Sequence, residues 1–108
     1  MKSTYTTVTK LRKEIQQISR THGIDELKLN VYVVDEWNDL TSDLQVEIVT
    51  EDEDIITITY ESIRPEKEVD FWNFVETGLE RHKTSIKKIT TEFEKYNIEI
   101  DDSYSYTC

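Results

Sequence analysis

The chain has few of the residues that would build disulfides, phosphate-binding loops or membrane spans. Its 108 residues include one cysteine, one proline and two glycines. A lone cysteine at position 108 excludes an internal disulfide, and two glycines are too few for a phosphate-cradling loop. No apolar run approaches the roughly 20 residues of a membrane span, and the N-terminus shows no signal-peptide pattern. We therefore expect one cytoplasmic domain, residues 1–108, without a cofactor.

Acidic residues are abundant, and they are unevenly distributed along the chain. The net charge is −10. Residues 1–24 carry five bases and one acid, residues 25–80 carry seventeen acids and three bases, and residues 81–108 carry five of each. The central segment alone therefore has a charge of −14. Negative charge concentrated in this way predicts solubility and electrostatic attraction to basic partners.

The first 60 residues predict a helix followed by a β-meander. Apolar residues at helical spacing indicate a first helix over about 7–22, with Thr7 as its N-cap and Gly23 as its end. Apolar and polar residues then alternate in strand fashion from Leu27 to about Trp37. Two further alternating strands follow, with inward sets Leu44, Val46, Ile48 and Ile56, Ile58, Tyr60. Short connections predict antiparallel pairing.

A second helical region follows Pro65, which suits a first helical turn. Apolar residues step by three and four along one seam: Trp72, Val75, Leu79, His82, Ile86, Ile89, Phe93 and Tyr96. A continuous helix over 66–97 would be roughly 45 Å long, too long for so small a sheet. Either it breaks around 83–85, where Thr84 or Ser85 would cap a new helix, or the 72–96 seam pairs in a homodimer.

The predicted fold is therefore α+β, in the order αβββα, with a long or broken C-terminal helix. The last residues alternate weakly, with Tyr104 and Tyr106 among them. They are expected either to add an edge strand or to form a flexible tail over 101–108.

Catalytic and metal-binding motifs are not recognisable. The two histidines, His22 and His82, lie in no known pattern; the first suits a helix C-terminus and the second a satisfied histidine on an apolar seam. The acidic tetrad 51–54 lacks the glycine turn and the distant glutamate of a calcium loop. We expect no catalytic residue and no metal site.

The acids instead suggest a docking surface. Same-face residues on a strand are spaced at about 7 Å, comparable with two nucleotide rises, so a sheet can imitate a row of phosphates. Tyr32, Trp37 and Tyr60 would add aromatic anchors, although Trp37 and Tyr60 suit the core equally well. The predicted partner-binding residues are Glu36, Asp39, Asp43, Glu47, Glu51, Asp52, Glu53, Asp54 and Glu61. The simpler alternative is that these acids only keep the protein soluble.

The acidic residues 47–54 and the acidic start of the second helix give this small chain a class-level resemblance to anti-CRISPR proteins of phages and mobile elements. The resemblance implies an inhibitor, in the cytoplasm of a bacterial host, that occupies the nucleic-acid-binding surface of a Cas nuclease. Nuclease-immunity proteins and antitoxins share this acidic character and are the nearest alternative.

A basic cluster supports a different hypothesis. Arg81, Lys83, Lys87 and Lys88 lie together in the sequence without an intervening acid. They would serve a nucleic-acid-binding or assembly module, or simply a solvated helix face. The overall charge disfavours direct nucleic-acid binding.

Overall fold

The chain folds as a mixed α+β structure with helices on one side of a sheet. The structure, a computed structural model, describes residues 7–49, 55–65 and 70–107. Within them the elements are α1 (Val8–His22), β1 (Lys28–Glu36), β2 (Thr41–Val49), β3 (Ile55–Ile63), α2 (Phe71–Glu76), α3 (Gly78–Arg81), α4 (Lys83–Glu94) and β4 (Glu99–Thr107).

Helix α1 begins and ends at the predicted residues. The side chain of Thr7 accepts a hydrogen bond from the backbone N–H of Lys10, 3.2 Å away. Gly23 ends the helix with a φ of 64°, a left-handed conformation that glycine adopts without steric cost. His22 lies in the last turn and is exposed, as predicted. Local signals were sufficient here because both caps act within four residues.

The sheet has one strand more than the three-stranded meander predicted. Strands β1, β2 and β3 pair antiparallel in sequence order, and β4 lies parallel to β1, giving the order β3-β2-β1-β4. Of the two alternatives for the C-terminal segment, residues 99–107 therefore form the edge strand. The parallel pairing requires the intervening helices to carry the chain back along the sheet.

The C-terminal helical region is broken, which is one of the two predicted alternatives: one break lies at His82, next to the predicted 83–85, and a second lies at Thr77. Thr77 is the C-cap of α2 and His82 the C-cap of α3, so α4 begins at Lys83 and neither Thr84 nor Ser85 caps it as predicted. The predicted seam is therefore not one continuous face: Trp72 is 72% exposed, whereas Phe74, outside the seam, is buried.

The core lies between the sheet and the helices. Alternate residues of β1 and β2, including Val31, Val33 and Val46, pack with Leu11 and Ile15 of α1 and with Ile89 and Phe93 of α4. Full burial of such a side chain contributes about 1.5–3 kcal/mol. We call the side of the sheet opposite this core the outer face.

Candidate functional site

Three tyrosines stack on the outer face. Tyr32 lies there because its neighbours in β1, Val31 and Val33, point into the core. Its ring centroid is 5.5 Å from that of Tyr104 and 6.0 Å from that of Tyr106, with interplanar angles of 11° and 19°. Tyr32 is buried, whereas Tyr104 and Tyr106 are 49% and 45% exposed. We call these three residues the tyrosine ladder.

Polar side chains of β1 and β2 lie next to Tyr32, the buried member of the tyrosine ladder. The hydroxyl of Tyr32 donates to Oε1 of Gln45 at 3.0 Å, and Nδ2 of Asn30 donates to Oε1 of Glu47 at 3.1 Å. Burial raises the pKa of Tyr32, and the charge of Glu47 adds to that effect, although a hydrogen bond with Thr57 opposes it. The ladder is therefore held in place beside a carboxylate.

Among the described residues, the predicted partner-binding acids do not form one exposed surface. Glu36 and Glu47 are half-buried on the outer face, and Asp39 is exposed in the β1–β2 turn. Asp43 is only 3% exposed and accepts a hydrogen bond from the hydroxyl of Ser62. The remaining predicted acids of the hairpin tip, Glu51, Asp52, Glu53 and Asp54, lie outside the described residues.

Glu61 lies on the opposite side of the sheet from the one predicted. Gln45 pairs with Thr59 and Leu44 pairs with Glu61, so Tyr60 is an extra residue in β3. Such a bulge reverses the alternation of side chains that follow it. Glu61 consequently turns toward the helices, and Tyr60, one of the predicted aromatic anchors, is buried in the core.

The bulge completes a buried hydrogen-bond network. Nε2 of His82 lies 2.8 Å from Oγ of Ser42, and Nδ1 lies 2.5 Å from Oε2 of Glu61. Oγ of Ser85 donates to Oε1 of Glu61 at 2.7 Å. We call these four residues the buried network. Its partners span residues 42 to 85, so no local pattern in the sequence could have indicated it.

The Ser42–His82–Glu61 arrangement has the connectivity of a hydrolase relay, with a hydroxyl, a base and a carboxylate in order. Ser42 and His82 are both fully buried, however, so a substrate has no access to the hydroxyl in this conformation. The geometry supports a structural role, because the network provides hydrogen-bond partners for the fully buried Ser42 and His82 through the half-buried Glu61 and Ser85.

Arg81, the first residue of the predicted basic cluster, forms an ion pair with Asp35. Its Nη1 donates to Oδ1 of the fully buried Asp35 at 3.3 Å, and its Nη2 donates to the carbonyl of Phe74 at 3.0 Å. Burial lowers the pKa of Arg81, and the charge of Asp35 opposes this. Oδ2 of Asp35 has no hydrogen-bond partner among the described residues and faces Gly78. The guanidinium of Arg81 is therefore bound to groups of the protein interior.

The predicted basic cluster is therefore divided. Lys83, Lys87 and Lys88 are exposed, whereas Arg81 points toward Asp35. Lys87 and Lys88 instead join Lys95 at a groove of about 590 Å³ between the start of α1 and α4. The groove is lined by Thr7, Val8, Tyr60, Thr84, Lys87, Lys88, Thr91, Glu92 and Lys95.

Comparison of the chain with protein-family models, with curated proteins and with solved structures finds no match in any of the three. Within the described residues, no group of three or more His, Cys, Asp or Glu side chains is arranged to hold a metal ion. None of the helices described here combines the length and apolar composition that crossing a membrane requires.

Proposed function

We propose that this chain is a non-catalytic binding protein that docks its outer face on a basic nucleic-acid-binding protein and inhibits it by covering the nucleic-acid site. The observation that carries the proposal is the tyrosine ladder, in which the rings of Tyr104 and Tyr106 are about half exposed on the edge strand β4. Its third ring, Tyr32, lies on β1 next to β2 and its carboxylate Glu47. Arginine suits such a surface because its guanidinium stacks on aromatic rings and pairs with carboxylates.

The charge of the chain supports a basic partner. Seventeen acids against three bases in residues 25–80 attract a cationic surface at long range and repel nucleic acid. A Cas nuclease in a bacterial cytoplasm is the specific partner that we propose. Other basic nucleases, such as a toxin nuclease bound by its immunity protein, fit the same chemistry.

The stacked rings favour one other candidate. Tyrosines on an open sheet also bind single-stranded nucleic acid, because unstacked bases pile on aromatic side chains. The tyrosine ladder would suit such a ligand, provided that stacking on the rings outweighs the repulsion between the acidic chain and the phosphates. The two functions predict opposite results with free oligonucleotides.

The test compares Tyr104→Ala and Tyr106→Ala with the original chain. Binding would be measured to purified Cas nucleases and toxin nucleases, at low and high salt, and to a single-stranded oligonucleotide. We expect nuclease binding that weakens with salt and falls about 10-fold for each ladder variant. Tyr96→Ala is the matched control, since Tyr96 is similarly exposed but lies against Arg12 of α1.

Two results would overturn the proposal. The first is nuclease binding that is unchanged by both ladder variants. The second is binding of the free oligonucleotide that the same variants abolish, which would establish the nucleic-acid function instead.

A further inference from the structure

A second aromatic surface lies where β1 ends and α2 begins. Trp37 and Phe71 meet edge to face with ring centroids 5.2 Å apart, and Phe71 and Trp72 do so at 5.4 Å. We call Trp37, Phe71 and Trp72 the aromatic corner. Trp72 is its most exposed member at 72%, and Phe71 is 39% exposed.

The corner is held rigidly from below. Trp37 also packs on Phe74, a fully buried residue, at 5.4 Å. The start of α2 is fixed by Asp70, whose carboxylate accepts a hydrogen bond from the backbone N–H of Asn73 at 2.9 Å. A large ring presented on a rigid base loses little conformational entropy on binding, which is typical of residues that dominate interfaces.

Acidic residues flank the members of the aromatic corner in the sequence. Asp39 follows Trp37 by two residues, Asp70 precedes Phe71, and Glu76 lies at the end of α2; all three are exposed. Neither residues 35–49 nor residues 70–80 contain a lysine or an arginine. In the part of the chain that the structure describes, Arg81 lies over the ring of Phe74 and Arg12 over that of Tyr96, so these two cations are engaged with rings other than Trp72.

This charge selects among possible occupants. A second copy of the chain would carry the same net charge of −10, which opposes self-association at long range. Anionic lipid and nucleic acid are repelled for the same reason. A protein segment with an arginine or lysine next to an apolar side chain would instead gain a cation–π contact, nearby carboxylates and apolar burial together.

We propose that the aromatic corner is a separate anchor for a basic protein segment, with an arginine or lysine side chain seated on the face of Trp72. The inference rests on the proposed function for the charge of the partner, but it uses residues outside the tyrosine ladder. The tyrosine ladder gives no role to the exposed Trp72, whereas this proposal assigns a contact to it.

The test uses Trp72 as its own reporter. The chain contains two tryptophans, so Trp37→Phe leaves Trp72 as the sole indole while keeping an aromatic ring against Phe74. Acrylamide quenching of its fluorescence would be measured with a peptide of repeating Arg-Leu-Gly units and with a matched Glu-Leu-Gly peptide. We expect protection by the first peptide only.

Affinity for the fluorescently labelled Arg-Leu-Gly peptide is then compared among variants. Trp72→Ala is expected to weaken binding about 10-fold, and Tyr96→Ala, which removes an exposed ring that lies against Arg12, to leave it unchanged. Circular dichroism should show that Trp72→Ala folds normally, because the side chain is mostly exposed. Equal protection by both peptides, none by either, or protection by raised protein concentration or lipid vesicles alone would overturn the inference.

The two proposals fail in distinguishable ways. If nuclease binding depends on Tyr104 and Tyr106 but not on Trp72, the proposed function stands and the corner is not an anchor. If the basic peptide binds at Trp72 but no nuclease is bound, the corner stands and the proposed function fails.

Discussion

Replacement of His82 by alanine tests the buried network most directly. The change removes the imidazole that lies 2.8 Å from the fully buried hydroxyl of Ser42. A buried hydroxyl left without its partner costs about 1–3 kcal/mol. Glu61 loses less, since its other oxygen still accepts from Ser85. With the cavity included, we expect the free energy of unfolding to fall by about 3–5 kcal/mol.

Urea denaturation followed by circular dichroism would measure this loss. At an m-value of about 1–3 kcal/mol per molar urea, the midpoint should fall by roughly 1–3 M. His22→Ala is the matched control, because that histidine is exposed in the last turn of α1. Its loss should cost no more than about 1 kcal/mol, through its interaction with the helix dipole.

A double-mutant cycle with Ser42→Ala decides whether the network itself is responsible. Removing both partners leaves no orphaned hydroxyl, so the double variant should be more stable than the summed losses imply, by about 1 kcal/mol or more. Losses that add to within about 0.5 kcal/mol, or a loss for His82→Ala no larger than for His22→Ala, would refute the reasoning.

Three further predictions follow from buried groups. Gly78→Ala should lower the free energy of unfolding by about 1–3 kcal/mol in the same urea assay, because a Cβ there would overlap the buried carboxylate of Asp35; an unchanged midpoint would contradict that packing. Burial raises the pKa of Tyr32 above its ordinary value of 10.0, so its contribution to stability is complete below pH 10 and is lost as the pH rises through the folded-state value. Tyr32→Phe should therefore flatten the decline in urea midpoint above pH 10, and an equal decline in both proteins would oppose this. A fluorophosphonate probe should not label the buried Ser42, as judged by mass spectrometry; labelling that His82→Ala abolishes would argue for catalysis.

Local signals in the sequence were enough for the first helix and for the pairing of the first three strands. Thr7 and Gly23 cap α1 through contacts within a few residues, and period-two alternation identifies strands wherever one face is buried. The outward position of Tyr32 follows from the same alternation. These features need no knowledge of distant residues.

The tertiary structure decided the features that depend on distant partners. The bulge at Tyr60 reverses Glu61 because that carboxylate meets His82 and Ser85, and the close approach of Gly78 to Asp35 accompanies the helix breaks at Thr77 and His82. Neither contact corresponds to a periodic pattern of residues in the sequence.

The candidate site shows the same division. Composition alone determined that the chain is an acidic protein with its charge concentrated in residues 25–80. Only the parallel pairing of β4 with β1 brought Tyr104 and Tyr106 beside Tyr32, from more than 70 positions away. Charge is additive along a chain and can be counted from the sequence, whereas a stack of rings exists only after strands far apart in the sequence have paired.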